Sequence, residues 1–136
     1  NEKYDTILDI GGDPVGARVL GRYNDILKEG SYDMFYVLNA NRPETNTLDK
    51  AIGYLNAIEG ASRKKVTGII NNTHMLKSTT VDDVLKGQKL AKELSQKLEI
   101  PIKYIVALES VAEKLPNNLE GEIFPINLYM REDWML

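Results

Sequence analysis

Cysteine is absent from all 136 residues. That removes disulfide staples, thiolate nucleophiles and cysteine-ligated zinc together. Histidine is almost as scarce: His74 is the only one. With no acid at metal-ligand spacing beside it, a zinc centre there would lack a second ligand. No serine sits in a nucleophile-elbow setting to make a triad with it. No apolar run approaches the roughly 18–20 residues that cross a bilayer, and the opening residues carry no secretory signal pattern. A cytoplasmic location is the expectation these absences support. An excess of basic charge is missing too: 17 Lys and Arg stand against 20 Asp and Glu, for a net charge of −3. The longest basic cluster, Arg63-Lys64-Lys65, reads as a solvated lead-in to a strand. No long-range field therefore recruits nucleic acid or an anionic membrane. A Gly-Lys dipeptide is also absent, so no Gly-x-x-x-x-Gly-Lys-Ser/Thr phosphate loop is present. Leu76-Lys77-Ser78-Thr79 has a Lys-Ser pair but no glycine in register.

What remains is an ordinary globular composition, 43% hydrophobic and 27% charged, long enough for one domain over residues 1–136 with its own core. Apolar runs alternate with amphipathic stretches. Residues 4–10, 32–38, 66–70 and 102–108 read as strands, with a further short one at 122–128. Helical spacing is read over 15–29, with Val19, Tyr23, Ile26 and Leu27 on the apolar face and Gly30 as a stop. A second helix runs from about Asn46 to Gly60, and a third over 81–98, opened by the capping pair Thr80 and Asp83. A short helix near 109–115 ends before Pro116. This alternation predicts an α/β domain, a mostly parallel sheet with helices on both faces.

In such sheets ligands bind beyond the carboxyl ends of the strands, so the strand-end residues carry the candidate chemistry. Asp9 ends the first apolar run and precedes Gly11-Gly12. A carboxylate there can hold magnesium, and Gly12 can offer its backbone N–H to a terminal phosphate; a tight turn explains the glycines equally. Asn39, Asn41 and Arg42-Pro43-Glu44 follow the second strand, as base or phosphate contacts or as turn formers. Asn71 and Asn72 follow the third, where an amide matches the paired donor and acceptor of adenine, or merely ends a strand.

Taken in order, YDTILDIGGD, VLNANRPET and GIINNTH resemble the later strands of P-loop ATPases of the MinD/ParA/CobQ type, a group that shares its core with the nitrogenase iron protein. The resemblance covers about residues 4–110. It implies a P-loop NTPase-like fold, with Asp9 acting on magnesium, Gly12 on the γ-phosphate and Asn71 on adenine, and with Gly11 and Asn72 as further cofactor-binding residues. Glu109 falls where that group closes a loop over the base, although Ala107-Leu108-Glu109-Ser110 replaces the usual proline-containing segment. The P-loop of that group lies upstream of its Walker B strand, the one that YDTILDIGGD with Asp9 resembles. The expectation is therefore a carboxy-terminal portion of a longer ATP-binding protein, with ATP and Mg2+ as its cofactors. A first residue other than methionine fits that expectation. The chain alone is expected not to hydrolyse ATP, and a homodimer is expected because an uncovered strand edge invites pairing.

Two other classes stay open. ILDIGGDPVG is similar to the opening motif of S-adenosylmethionine-dependent methyltransferases, but Asn39-Ala40-Asn41 stands where that family needs an acid. A non-catalytic α/β interaction or regulatory module is the other. A nicotinamide-binding Rossmann unit is disfavoured, because Gly11–Gly16 is not Gly-x-Gly-x-x-Gly.

Overall fold

A computed structural model describes residues 7–10, 14–22, 32–74 and 78–127. Its elements, in chain order, are α1 (Pro14–Gly21), β1 (Phe35–Leu38), a 3-10 turn (Pro43–Thr45), α2 (Leu48–Ser62), β2 (Gly68–Asn71), α3 (Val81–Leu98), β3 (Ile102–Leu108), α4 (Glu109–Ala112) and β4 (Glu122–Ile126). The four strands form one sheet in the order β1-β2-β3-β4, and every neighbouring pair is parallel. The α/β class and parallel sheet expected from the alternation are present, but the described helices lie on one face of the sheet and not on both.

Strand order and chain order coincide, and this decides where the helices go. Parallel crossovers are right-handed, so strands added always to the same side place their connecting helices on one face. The core follows that rule. Ala51, Leu55 and Ile58 of α2 and Leu90, Ala91 and Leu94 of α3 pack against Tyr36, Leu38, Ile69 and Ile102. Val84 of α3 and Val111 of α4 pack against Ile105 and Ala107. Ala17 of α1 joins the first of these clusters. The other face of the sheet carries Phe35 and Val37 of β1 and Phe124 of β4, which are 39%, 57% and 54% exposed.

A bulge lies between β2 and β3. Ile69 pairs with Ile102 but Ile70 pairs with Tyr104, so Lys103 is the extra residue. Its side chain lies over Gly68, where an added Cβ would stand 2.7 Å from Lys103 Cγ and 2.9 Å from the Phe35 ring. A side chain at position 68 has no room there.

Capping chemistry sets the helix ends. Thr80 accepts from the backbone of Asp83, and the Asp83 carboxylate accepts from the Thr80 N–H, the reciprocal pair expected from sequence. The second helix is capped one residue later than read, at Thr47, whose hydroxyl accepts from the Lys50 N–H. It also passes through Gly60 and stops only where Arg63 turns left-handed at φ 57°. Glycine at an exposed helical position costs about 1 kcal/mol relative to alanine, too little to end a helix whose buried face continues to Ser62.

Two expectations near the start need correction. Residues 7–10 have no regular structure, and Ile7 and Leu8 are 94% and 55% exposed. A strand needs a ladder partner for its backbone groups, and no described strand gives these residues one. The first helix buries Ala17 and Leu20, not Val19, which is 48% exposed, because contact with α2 selects its face. The remainder of the expected 4–10 strand and 15–29 helix (residues 4–6 and 23–29), together with Gly11 and Gly12, lies outside the described residues.

Candidate functional site at the carboxyl edge of the sheet

The ends of β1, β2 and β3 and the start of α3 converge on one rim, and the residues after β1 and β2 are tied together there. The Ala40 N–H donates to Thr73 Oγ1 at 3.0 Å, and the Asn72 N–H donates to the Leu38 carbonyl at 2.8 Å. The Asn41 amide nitrogen donates to the His74 carbonyl (3.3 Å) and to Asp83 Oδ1 (3.2 Å). Its oxygen accepts from Lys86 Nζ at 3.0 Å. One amide thus fixes the loop after β2, the first turn of α3 and a lysine on its second turn.

Charge on this rim is set by those contacts. The Thr80 backbone N–H, aided by Asn41 and Lys86, holds the Asp83 carboxyl below its ordinary range, against a smaller opposing effect of burial. Partial burial lowers the His74 imidazole below its ordinary value, and the Arg42 guanidinium lowers it further. His74 is therefore neutral near pH 7.

Asn71 sits beneath the rim with its side chain turned into the protein. It is 0% exposed. Its amide nitrogen donates to the Val84 carbonyl and to Gln88 Oε1, both at 3.1 Å, while its oxygen accepts from the Thr73 N–H at 3.2 Å. Gln88 in turn donates to the Glu120 carbonyl at 2.8 Å. The cause is register. Asn71 shares its face with Ile69, two residues earlier, and that face is the one under α3. Both Asn71 donors are thereby occupied in joining β2, α3 and the loop before β4.

Asn72, half-buried, points the other way and lines a cavity of about 110 Å³. Thr73, His74 and Thr79 line it as well, against the apolar Val106, Leu108 and Ile126. Asn39 precedes the 3-10 turn and Glu44 lies within it: Asn39 Oδ1 accepts from the Asn41 N–H, and its carbonyl accepts from the Thr45 hydroxyl. Those bonds are turn chemistry. Glu109 is exposed and opens α4 immediately after Leu108. Asp9 is exposed, in a segment without regular structure. Among the described residues no group of three or more His, Asp or Glu side chains could hold a metal ion.

Of the sequence candidates, then, Asn72 lines the cavity and Glu109 follows its lining residue Leu108 in the chain, whereas Asn71 braces the interior. Sequence reasoning missed the Asn41–Asp83–Lys86 network, because its members lie up to 45 residues apart. A second, more open cavity of about 220 Å³ lies beside it, between α2 and α3, and is lined by Asn46, Thr47, Lys86, Lys89 and Glu93, among others.

Fold and rim together define a parallel α/β domain with a small, half-apolar cavity at the carboxyl edge of its strands. No family model matches the chain, and no curated protein or solved structure matches it.

Proposed function

We propose that this chain is the base-recognition and Walker B/switch portion of an ATP-binding protein of the MinD/ParA type, whose phosphate loop lies outside these residues. The observation that carries the reading is the 110 Å³ cavity at the carboxyl ends of β2, β3 and β4. Apolar walls from Val106, Leu108 and Ile126 suit the faces of a flat heterocycle. The Asn72 amide supplies the paired donor and acceptor that an adenine edge requires. In this reading Asn72 takes the base contact, since Asn71 could do so only by breaking three buried hydrogen bonds. The cavity is far smaller than the about 300–1,000 Å³ of a site enclosing a whole drug-sized ligand, so it fits a ring and not a nucleotide. Asp9 would serve magnesium, and Gly12 the γ-phosphate, only once the missing phosphate grip is in place.

Nuclear magnetic resonance titration with adenosine and ATP tests this. Adenosine is expected to shift the resonances of residues 72–74 and 106–108 with a Kd of about 1 mM or weaker, equivalent to roughly −4 kcal/mol. Asn72→Ala should abolish the shifts, and no ATP should be hydrolysed. Absence of shifts at this edge, or micromolar ATP affinity for the chain alone, would overturn the reading. S-adenosylmethionine binding much tighter than adenosine would favour the methyltransferase-like alternative. Self-association belongs to the same proposal: among the described residues no strand pairs with the outer edge of β1, and a homodimer would cover open sheet surface.

A further inference from the structure

The face of the sheet turned away from the helices carries an aromatic row. The rings of Phe35 and Tyr104 meet edge-on at 6.0 Å between centroids, and those of Tyr104 and Phe124 at 6.4 Å. The first contact spans β2, and Gly68 makes it possible by leaving the intervening space to the Phe35 ring and the Lys103 stem. Val37, Ile70 and Val106 fill the surface around the row, with Val37 57% exposed. Parallel sheets are almost always covered on both faces, and an apolar patch of this kind marks an interaction surface.

We propose that this face binds the same face of a second copy of the chain. The inference rests on the self-association just proposed and names its surface. Two features fit a second copy. The row reads Phe-Tyr-Phe with nearly equal spacings, so a two-fold axis crossing it at Tyr104 sets Phe35 against Phe124 of the partner subunit. The face also carries one charge of each sign beside Tyr104, Lys103 from the bulge and Glu122 from the paired position on β4. The same two-fold brings Lys103 towards Glu122 of the partner subunit. An isologous interface needs such self-complementarity. Four short strands about 4.8 Å apart present a face of only roughly 300 Å² per partner in projection, less than half of the about 800 Å² per partner of a standard interface, so the dimer is weak and concentration-dependent.

Multi-angle light scattering and sedimentation up to about 1 mM chain, a concentration suited to weak association, provide the test. The mass should rise from 15.3 kDa towards twice that value. Phe124→Lys should weaken the dimer about tenfold or more, as loss of an apolar anchor does. Lys103→Glu should weaken it as well, and adding Glu122→Lys should restore it. Circular dichroism should stay unchanged in each variant, since these are face positions outside the two buried clusters. A chain monomeric at every concentration overturns both self-association and this surface, and leaves the adenine test untouched. A dimer indifferent to Phe124→Lys, with concentration-dependent amide protection on β1, assigns association to the strand edge and overturns only the surface. A monomer that cosediments with phosphatidylcholine vesicles, and loses this on Phe124→Lys, gives the face to a lipid surface and overturns the proposal.

Discussion

Glycine inside a helix is ordinarily a weakness, and replacing it by alanine gains up to about 1 kcal/mol. Gly87 on α3 reverses that sign. A Cβ at this position would collide with Thr73 Oγ1 and Asn71 Oδ1 and stand 2.5 Å from Thr73 Cβ. Neither neighbour can retreat easily. Asn71 and Thr73 are 0% and 1% exposed, and both are held in the hydrogen bonds that join β2 to the loop after β1 and to α3. Moving α3 outward would instead strain the Asn71–Val84 and Asn71–Gln88 bonds. Overpacking of a tight core costs about 1–3 kcal/mol, and a weakened buried hydrogen bond adds about 1 kcal/mol. Set against the helix-propensity gain, Gly87→Ala should destabilise the protein by about 2 kcal/mol. Gly53 on α2 has nothing within 4 Å of the same construction, so Gly53→Ala should stabilise it by about 0.5–1 kcal/mol. Urea and thermal unfolding followed by circular dichroism measure both. For a domain of this size the pair should separate in Tm by roughly 8 °C or more. If Gly87→Ala proves as stabilising as Gly53→Ala, the close contact between α3 and the β2 end is refuted.

Asn71→Leu should cost about 2–4 kcal/mol, because it leaves the Thr73 N–H and the Val84 carbonyl without this partner inside the protein; hydrogen exchange should show α3 loosening first. His74 is neutral in the fold, so the unfolded chain binds its proton more readily and stability must fall as pH drops below 6.5, its ordinary value, towards its lowered folded value. Its imidazole resonances should titrate below that pH, and Arg42→Ala should move the midpoint upward without restoring it fully, because burial is the larger cause. Asp83 runs in the same direction at lower pH: its contribution is present above 3.8 and is lost as pH falls through the lowered folded value. Asp83→Asn should therefore flatten the acid limb of a stability profile measured by urea titration.

Much of the fold was legible because local signals agreed. The capping pair Thr80 and Asp83 with helical spacing over 81–98 placed α3, and the apolar run at 102–108 placed β3. The short strands were found within two or three residues. Other features depend on contacts that no local window contains. Asn71 and Asn72 are chemically identical, and only strand register decides which faces α3 and which faces the cavity. Gly87 looks like a blemish in a helix until β2 is placed beside it. The apolar run at 4–10 satisfies every local criterion for a strand, yet its described residues, 7–10, have no strand beside them to pair with. Of the candidate site, strand-end location was readable, whereas the bridging by Asn41 was not.

The uniform direction in which the strands are added also bears on how the chain folds. Phe35 pairs with Gly68 and Ile69 with Ile102, so β1–β2 and β2–β3 each close over one 33-residue offset, as the Met34–Thr67 and Ala40–Thr73 bonds do. No described strand pair waits for a distant end of the chain to arrive. Loop-closure entropy is then met in small, similar instalments, and rates depend on how local the contacts are. Assembly can start at any β–α–β unit and grow outward from it. Substitutions at β4 should accelerate unfolding while leaving the folding rate nearly unchanged, provided β1 to β3 form the nucleus.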